Sequence, residues 1–303
     1  MPLVPPPGPH GGDGARLAAA LGVAPSAILD LSLSTNPLAP DVVALACAHL
    51  DVLRRYPDPG PATATLAQAL GVGADEVLLT NGGAEAIALV ASELPRGRVD
   101  EPEFSLYRRH LGDVSDDAPR WRSNPHNPSG RLAAPDERAA VWDEAFYPMA
   151  TGGWSRGDDG AVVVGSLTKV FACPGLRLGY VTAGDVALLD RLRRRQPAWA
   201  VNGLALALLP RLLEVADLPG WAAGIAALRG ELAALLATFG LRPRPSDAPW
   251  LLVDGAAGLR ERLAVQGILV RDTSSFGLAG SARVAVPDAA GLERLARALS
   301  TTA

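Results

Sequence analysis

Lysine is nearly missing from this chain. Among 303 residues lysine and arginine together number 28, and only Lys169 is a lysine, leaving 27 arginines. Cysteine is scarce too: Cys47 and Cys173 lie far apart, offer no metal-ligand spacing and imply no disulfide framework. Basic charge is not in excess. The formal net charge of −4 gives no field for nucleic acid, and RLRRR (Arg191 to Arg195), the densest basic stretch, reads as a solvated helix face. The opening MPLVPPPGPHGG lacks the basic and apolar regions of a secretory signal. No uninterrupted apolar run is long enough to span a membrane. These absences predict a soluble, cytoplasmic protein with no nucleic-acid partner, no membrane partner and no metal.

What is present is a 49% hydrophobic chain, enough to bury a large core in one domain or two. AILDLSLS (Ala27 to Ser34), EVLLT (Glu76 to Thr80) and AVVVGSL (Ala161 to Leu167) read as strands. PATATLAQALGVG and NGGAEAIALVASEL, the helical patterns beside EVLLT, make this half an α/β arrangement around a mostly parallel sheet. From Asp185 the pattern turns helical, then returns to the short strands WLLVD, ILVRD and ARVAV. The predicted organisation is an N-terminal arm and first strand (1–40) packing with the small domain, a large α/β domain (41–190), and a connecting helix with a smaller α+β domain (191–303).

Position 169 needs something that arginine cannot supply. A guanidinium stays protonated, whereas an ammonium whose surroundings lower its pKa becomes an amine that attacks carbonyls. Three other stretches, and the one around the lysine itself, give it a context. TNGGAEA (Thr80 to Ala86) sets glycines between a strand and a helix, where backbone N–H groups can hold a phosphate, although a tight strand–helix turn explains it equally well. NPHNPSG (Asn124 to Gly130) is a rigid turn presenting an amide, and WDEAF (Trp142 to Phe146) ends an apolar stretch in a carboxylate. GSLTKVFACPGLRLGY (Gly165 to Tyr180) places two hydroxyls, Ser166 and Thr168, beside the lysine, and Arg177 eight residues after it. Together these supply a Schiff-base lysine, an acid for a pyridine nitrogen and a phosphate cup, the groups that pyridoxal phosphate requires.

On these motifs, with YPDP (Tyr56 to Pro59), the chain resembles the fold-type I pyridoxal-phosphate enzymes of the class I/II aminotransferase superfamily, nearly end to end. It is most similar to the branch that holds histidinol-phosphate aminotransferase and the L-threonine-O-3-phosphate decarboxylase of cobalamin synthesis. The resemblance implies that Lys169 binds the cofactor and shuttles protons, Asp143 pairs with the pyridinium, and Asn127 donates to the ring oxygen. Gly82, Gly83, Ala84, Ser166, Thr168 and Arg177 would hold the phosphate, and Phe104, with Tyr107 as the second choice, would stack on the ring. Tyr56 would reach the cofactor of a neighbouring subunit, which implies a homodimer. Arg283 would bind a substrate α-carboxylate and Arg271 the substrate's own phosphate. His10, Gly11 and Asn36 would be further substrate anchors, beside Asn127.

Two departures accompany the resemblance. Phe146 stands where many relatives carry a tyrosine, leaving the ring oxygen to Asn127. The stretches Phe104–Asn124 and Gly130–Asp143 are short, which predicts a strand or helix missing from the large domain. The HGG (His10 to Gly12) and LDLSLSTNPLAP (Leu29 to Pro40) stretches resemble the decarboxylase branch, so the expected reaction is decarboxylation of a small phosphorylated amino acid. The alternatives are a histidinol-phosphate-type aminotransferase using 2-oxoglutarate, and a cofactor-binding protein whose turnover was lost or changed with the shortened domain.

Overall fold

The computed structural model describes residues 4–302, so the first three residues of the expected arm lie outside it. Twelve strands form two sheets. The larger holds β2 (Val77–Asn81), β3 (Arg96–Val99), β4 (Asp113–Val114), β5 (Arg120–Ser123), β6 (Val141–Asp143), β7 (Val162–Ser166) and β8 (Leu178–Thr182), in the order β2-β8-β7-β6-β5-β3-β4. β8 runs antiparallel to both of its neighbours, and the other pairs are parallel. All five residues of β7 are buried, the continuous apolar pattern expected when both faces of a sheet are covered.

The smaller sheet comprises β1 (Leu29–Leu31), β9 (Arg242–Pro243), β10 (Trp250–Asp254), β11 (Ile268–Asp272) and β12 (Ala282–Ala285), in the order β1-β11-β12-β10-β9. β1 joins it in parallel to β11, and Leu17 of the preceding helix packs on Ala264 and Leu269. The packing does not divide at residue 190. Helix Val186–Arg195 runs through that position, and Leu188, Leu189 and Leu192 pack with the large sheet. The core around Leu66 and Leu167 extends further, through helix Gly203–Glu214 to Trp221.

Helix Leu218–Thr238 links the two cores, with Trp221 in the first and Leu232 and Leu236 in the second. It is the one described helix long and apolar enough to cross a membrane by length and composition. Arg229 interrupts its apolar surface and donates to the Asp247 and Ala248 carbonyls (3.1 and 3.2 Å), which ties the helix to the turn before β10.

Neither of the two short stretches holds a helix longer than five residues. Between Phe104 and Asn124 the chain fits a five-residue helix (Leu106–His110), β4 and β5. Between β5 and β6, residues 124–140 form turns and no helix. Backbone groups there lack the internal partners that a helix supplies, so side chains must satisfy them. Arg156 does part of this, and Arg138 shares the Pro135 and Glu137 carbonyls with it. The Arg156 guanidinium donates to the Ala134, Pro135 and Glu137 carbonyls (3.0, 3.0 and 2.9 Å) and to Asp158 (2.8 Å). It also lies 5.0 Å over the ring of the fully buried Trp142, whose indole N–H donates to Asp158 at 2.8 Å. Asn124 accepts from the Ala133 N–H (3.0 Å), and Arg122 pairs with Glu137.

Candidate active site

The C-terminal ends of β5, β6 and β7 converge: Ser123 pairs with Asp143, and Asp143 with Val164, two residues before Ser166. Ligands of open α/β sheets bind at such ends. Beyond β7 the chain turns directly into the short helix Leu167–Val170, and Lys169 borders a cavity of about 200 Å³ between the two sheets.

One end of the cavity is a cup of hydrogen-bond donors. Gly83 and Ala84 border it at the start of helix Gly82–Glu93, where backbone N–H groups are free of helical partners. Gly82 has φ +78°, and a Cβ there would stand 2.3 Å from Arg177 Nη2, so only glycine lets the guanidinium approach. A Cβ at Gly179 would lie 2.5 Å from the Gly82 carbonyl carbon, which shows how closely β8 presses on this turn. Ser166 Oγ and Thr168 Oγ1 lie 2.9 Å apart beside the cavity. Arg177 takes the left-handed backbone conformation (φ 55°) as it enters β8. Hydroxyls, amides and a guanidinium with no carboxylate among them make a site for a dianion.

Lys169 is held beside the cup, its Nζ donating to the Leu33 carbonyl at 3.1 Å. Burial, followed by the charges of Arg283, Arg177 and Arg271, lowers its pKa to about 8. Asp143 is pushed above the usual carboxylate range by burial, opposed by the Ala145 N–H (3.0 Å) and the Tyr107 hydroxyl (2.9 Å). Asn127 turns its Oδ1 to Arg283 Nη1 (2.7 Å), while its backbone N–H donates to Ser123 Oγ (2.7 Å). Phe104 borders the cavity and meets His10 edge-on at 5.8 Å; Phe146, three residues after β6, borders it too, edge-on to Trp250 at 4.7 Å.

The other end is lined by two buried guanidiniums. Arg271 of β11 and Arg283 of β12 are register partners, and neither has a carboxylate partner among the described residues. Burial lowers the pKa of Arg271 to about 10; burial and then Arg271 push that of Arg283 well below the ordinary value. Arg283 lies 4.9 Å over the Trp250 ring, and its Nε is buried without a partner. The arm closes this end. Arg271 donates to the Pro9 carbonyl (3.1 Å), and the Gly12 N–H to Ser32 Oγ (2.9 Å). A Cβ at Gly11 would lie 2.2 Å from the Ser32 carbonyl oxygen. His10 Nδ1 is buried without a partner, and burial, then Arg271 and Arg109, lower the pKa of the ring.

Three expected site residues do not line this cavity: Gly82, which stands behind Gly83 against Arg177, and Asn36 and Tyr56. Asn36 is corrected from substrate anchor to structural brace: its Nδ2 donates to the Val170 carbonyl (2.9 Å) and its Oδ1 accepts from the Leu38 N–H (2.9 Å), so both ends of the amide are engaged. Its own N–H binds the Lys169 carbonyl (3.0 Å), fixing the lysine's backbone. Tyr56 is 79% exposed, away from this chain's own cavity, and packs on Trp199 at 4.5 Å.

The family model for "Aminotransferase class I and II" matches residues 121–299, more than half of the chain. A threonine-phosphate decarboxylase of Salmonella typhimurium is 32% identical over 96% of this chain and 95% of its own length. The chain is a class I and II aminotransferase family member. That alignment runs over 348 positions, more than the 303 residues present here, so this chain is matched with gaps along nearly its full length. A histidinol-phosphate aminotransferase of Dechloromonas aromatica is 27% identical over 94% of the chain and 93% of its own length. The fold is shared with two solved structures. The histidinol-phosphate aminotransferase of Clostridium acetobutylicum has a TM-score of 0.79 at 23% identity, covering 91% of this chain and 99% of that one. The L-threonine-O-3-phosphate decarboxylase of Porphyromonas gingivalis has a TM-score of 0.74 at 24% identity, covering 89% and 98%.

The class I and II aminotransferases depend on pyridoxal phosphate, and the residues of this cavity fit that group. The donor-only cup suits its phosphate, Asp143 its ring nitrogen, and the partly deprotonated Lys169 its aldehyde. Sequence reasoning missed the Tyr107 hydroxyl as the partner of Asp143. The available signal was its position three residues after Phe104, in the first turn of a short helix.

Proposed function

We propose that this chain is a cytoplasmic pyridoxal-phosphate enzyme of cobalamin synthesis that decarboxylates L-threonine O-3-phosphate to (R)-1-aminopropan-2-yl phosphate. The observation that carries the substrate class is the Arg271–Arg283 pair. Two like charges directly opposite each other, both buried and without carboxylates, are unfavourable until anions join them. A substrate carrying a carboxylate and a phosphate supplies one anion to each.

Bound pyridoxal phosphate supplies an electron sink for the bonds at the substrate's α-carbon. The cofactor's phosphate belongs in the cup of Gly83, Ala84, Ser166, Thr168 and Arg177. Asp143 would hold the ring nitrogen's proton, Asn127 would donate its Nδ2 to the ring oxygen, and Phe104 would cover the ring face. Lys169 would hold the cofactor at its aldehyde and would hold or give up a proton at Nζ. Which α-carbon bond breaks depends on where the protein anchors the rest of the substrate. Arg271 would hold the substrate phosphate, while His10 and the Gly11 N–H on the docked arm would steer the carboxylate beside Arg283. Tyr56, exposed with Trp199, Leu53 and Val43, would reach the cofactor of a second copy in a homodimer.

Transamination is the second reading, favoured by the histidinol-phosphate aminotransferase relatives. The two part at the carboxyl carbon. With carboxyl-labelled L-threonine O-3-phosphate, the decarboxylase releases labelled carbon dioxide without 2-oxoglutarate. Label retained on a keto product, with 2-oxoglutarate consumed, makes it an aminotransferase. The inert outcome, cofactor bound and substrate unchanged, makes it a binding protein.

A further inference from the structure

Asp143 is a half-buried carboxylate in the cavity wall, and among the described residues no cation pairs with it. Its two oxygens have one donor each, the Ala145 N–H on Oδ1 at 3.0 Å and the Tyr107 O–H on Oδ2 at 2.9 Å. A carboxylate out of water takes up a proton unless hydrogen bonds favour its charged form. A protonated Asp143 could not stabilise a pyridinium. The backbone donor is fixed by the turn after β6, so the side-chain donor is the adjustable one.

Tyr107 is built to aim that donor. Its ring is 1% exposed and wedged between Phe104 (5.9 Å, 86°) and Trp121 (6.0 Å, 50°), so it has no freedom to turn away. A phenylalanine would fill this space equally well, whereas a buried hydroxyl is unfavourable without a partner. The partner it has is Asp143. We infer that Tyr107 is a positioning residue: its hydroxyl keeps Asp143 ionised and aimed at the ring nitrogen of the cofactor. The inference rests on the reading of Asp143 as the ring-nitrogen partner.

Cofactor affinity tests it without recourse to turnover. The apo-protein is titrated with pyridoxal phosphate and with its 1-deaza analogue, which keeps the phosphate and aldehyde but has no ring nitrogen. Wild type binding pyridoxal phosphate more tightly than the analogue, and Asp143→Asn erasing the preference, would uphold the underlying reading. Tyr107→Phe should then weaken pyridoxal phosphate by about 10-fold and leave the analogue unchanged, since a hydrogen bond to a charged group is lost. Unchanged analogue binding also shows that the variant's cavity is folded. Placing 3-fluorotyrosine at position 107, a stronger donor of nearly the same shape, should raise the preference. Equal loss of both ligands in Tyr107→Phe, or no loss of either, overturns the role of Tyr107 while wild type and Asp143→Asn still uphold that of Asp143. A wild type without any preference overturns both.

Discussion

Arginines serve opposite ends in two parts of this molecule. Behind the β5–β6 crossover the guanidiniums have partners within the fold: Arg156 reaches three carbonyls, Asp158 and the Trp142 ring, and Arg122 has Glu137. Around the cavity Arg271 and Arg283 are as deeply buried, yet have no carboxylates and face each other across adjacent strands. Burial is therefore not what separates the two groups. The crossover arginines complete the fold; the cavity arginines leave charge uncompensated where a ligand can meet it. Lys169 belongs with the second group, since among the described residues its side chain has one polar partner, the Leu33 carbonyl.

The comparison breaks if removing a crossover charge is harmless. Arg156 and Asp158 are only 11% and 16% exposed, so Arg156→Ala leaves the Asp158 carboxylate without its cation, held by the Trp142 N–H alone. It should cost roughly 3–5 kcal/mol of stability in urea unfolding. Where the variant is still folded, its affinity for pyridoxal phosphate should match wild type. The opposite sign is expected at Lys169. Its pKa falls from 10.5 to about 8 on folding, so between these values the unfolded chain holds more protons. Stability of the apo-protein should rise with pH across that window, and the full penalty, about 3 kcal/mol, should stand below pH 8. Lys169→Met should accordingly be more stable than wild type below pH 8, with the gap closing by about pH 10.5. Thermal unfolding of both apo-proteins across that range is the check; a gap that is flat in pH would mean that the lysine is not desolvated.

The cavity end of this contrast was more legible in the sequence than the crossover. Lys169, Asp143, Ser166 and Arg177 stand in short motifs because each must sit at a strand end or tight turn, and local spacing sets those positions. The seven strands were only partly legible: β4 has two residues and β6 three, too short for any periodicity to declare itself. Asn36 misled because a polar residue after a strand reads alike whether it faces a ligand or braces a loop. Only its engagement with Val170 and Leu38 distinguishes the two. Arg156 was invisible for a related reason. Its partners at 134, 135 and 137 come together only because the crossover lacks a helix, and nothing near Arg156 in sequence marks that.

The smallest expected effect is also the one that assigns the two cavity arginines. Arg271 already donates to the Pro9 carbonyl, so its removal frees the arm as well as a ligand site. A phosphate contact and an arm contact differ in what they do to ligands that lack phosphate. If Arg271 holds the substrate phosphate, Arg271→Ala forfeits a charge-assisted hydrogen bond of roughly 1.5–3 kcal/mol. Phosphorylated amino acids should then bind about 10- to 100-fold more weakly, and L-threonine nearly as before. If Arg271 chiefly pins the arm over the cavity, both ligands lose affinity together, because His10 and Gly11 move away from either. Removing one of two opposed charges should also relieve Arg283, so the apo-variant should unfold no more easily than wild type. Titration of the apo-protein and of Arg271→Ala with phosphothreonine and threonine, beside one urea melt of each, separates these outcomes.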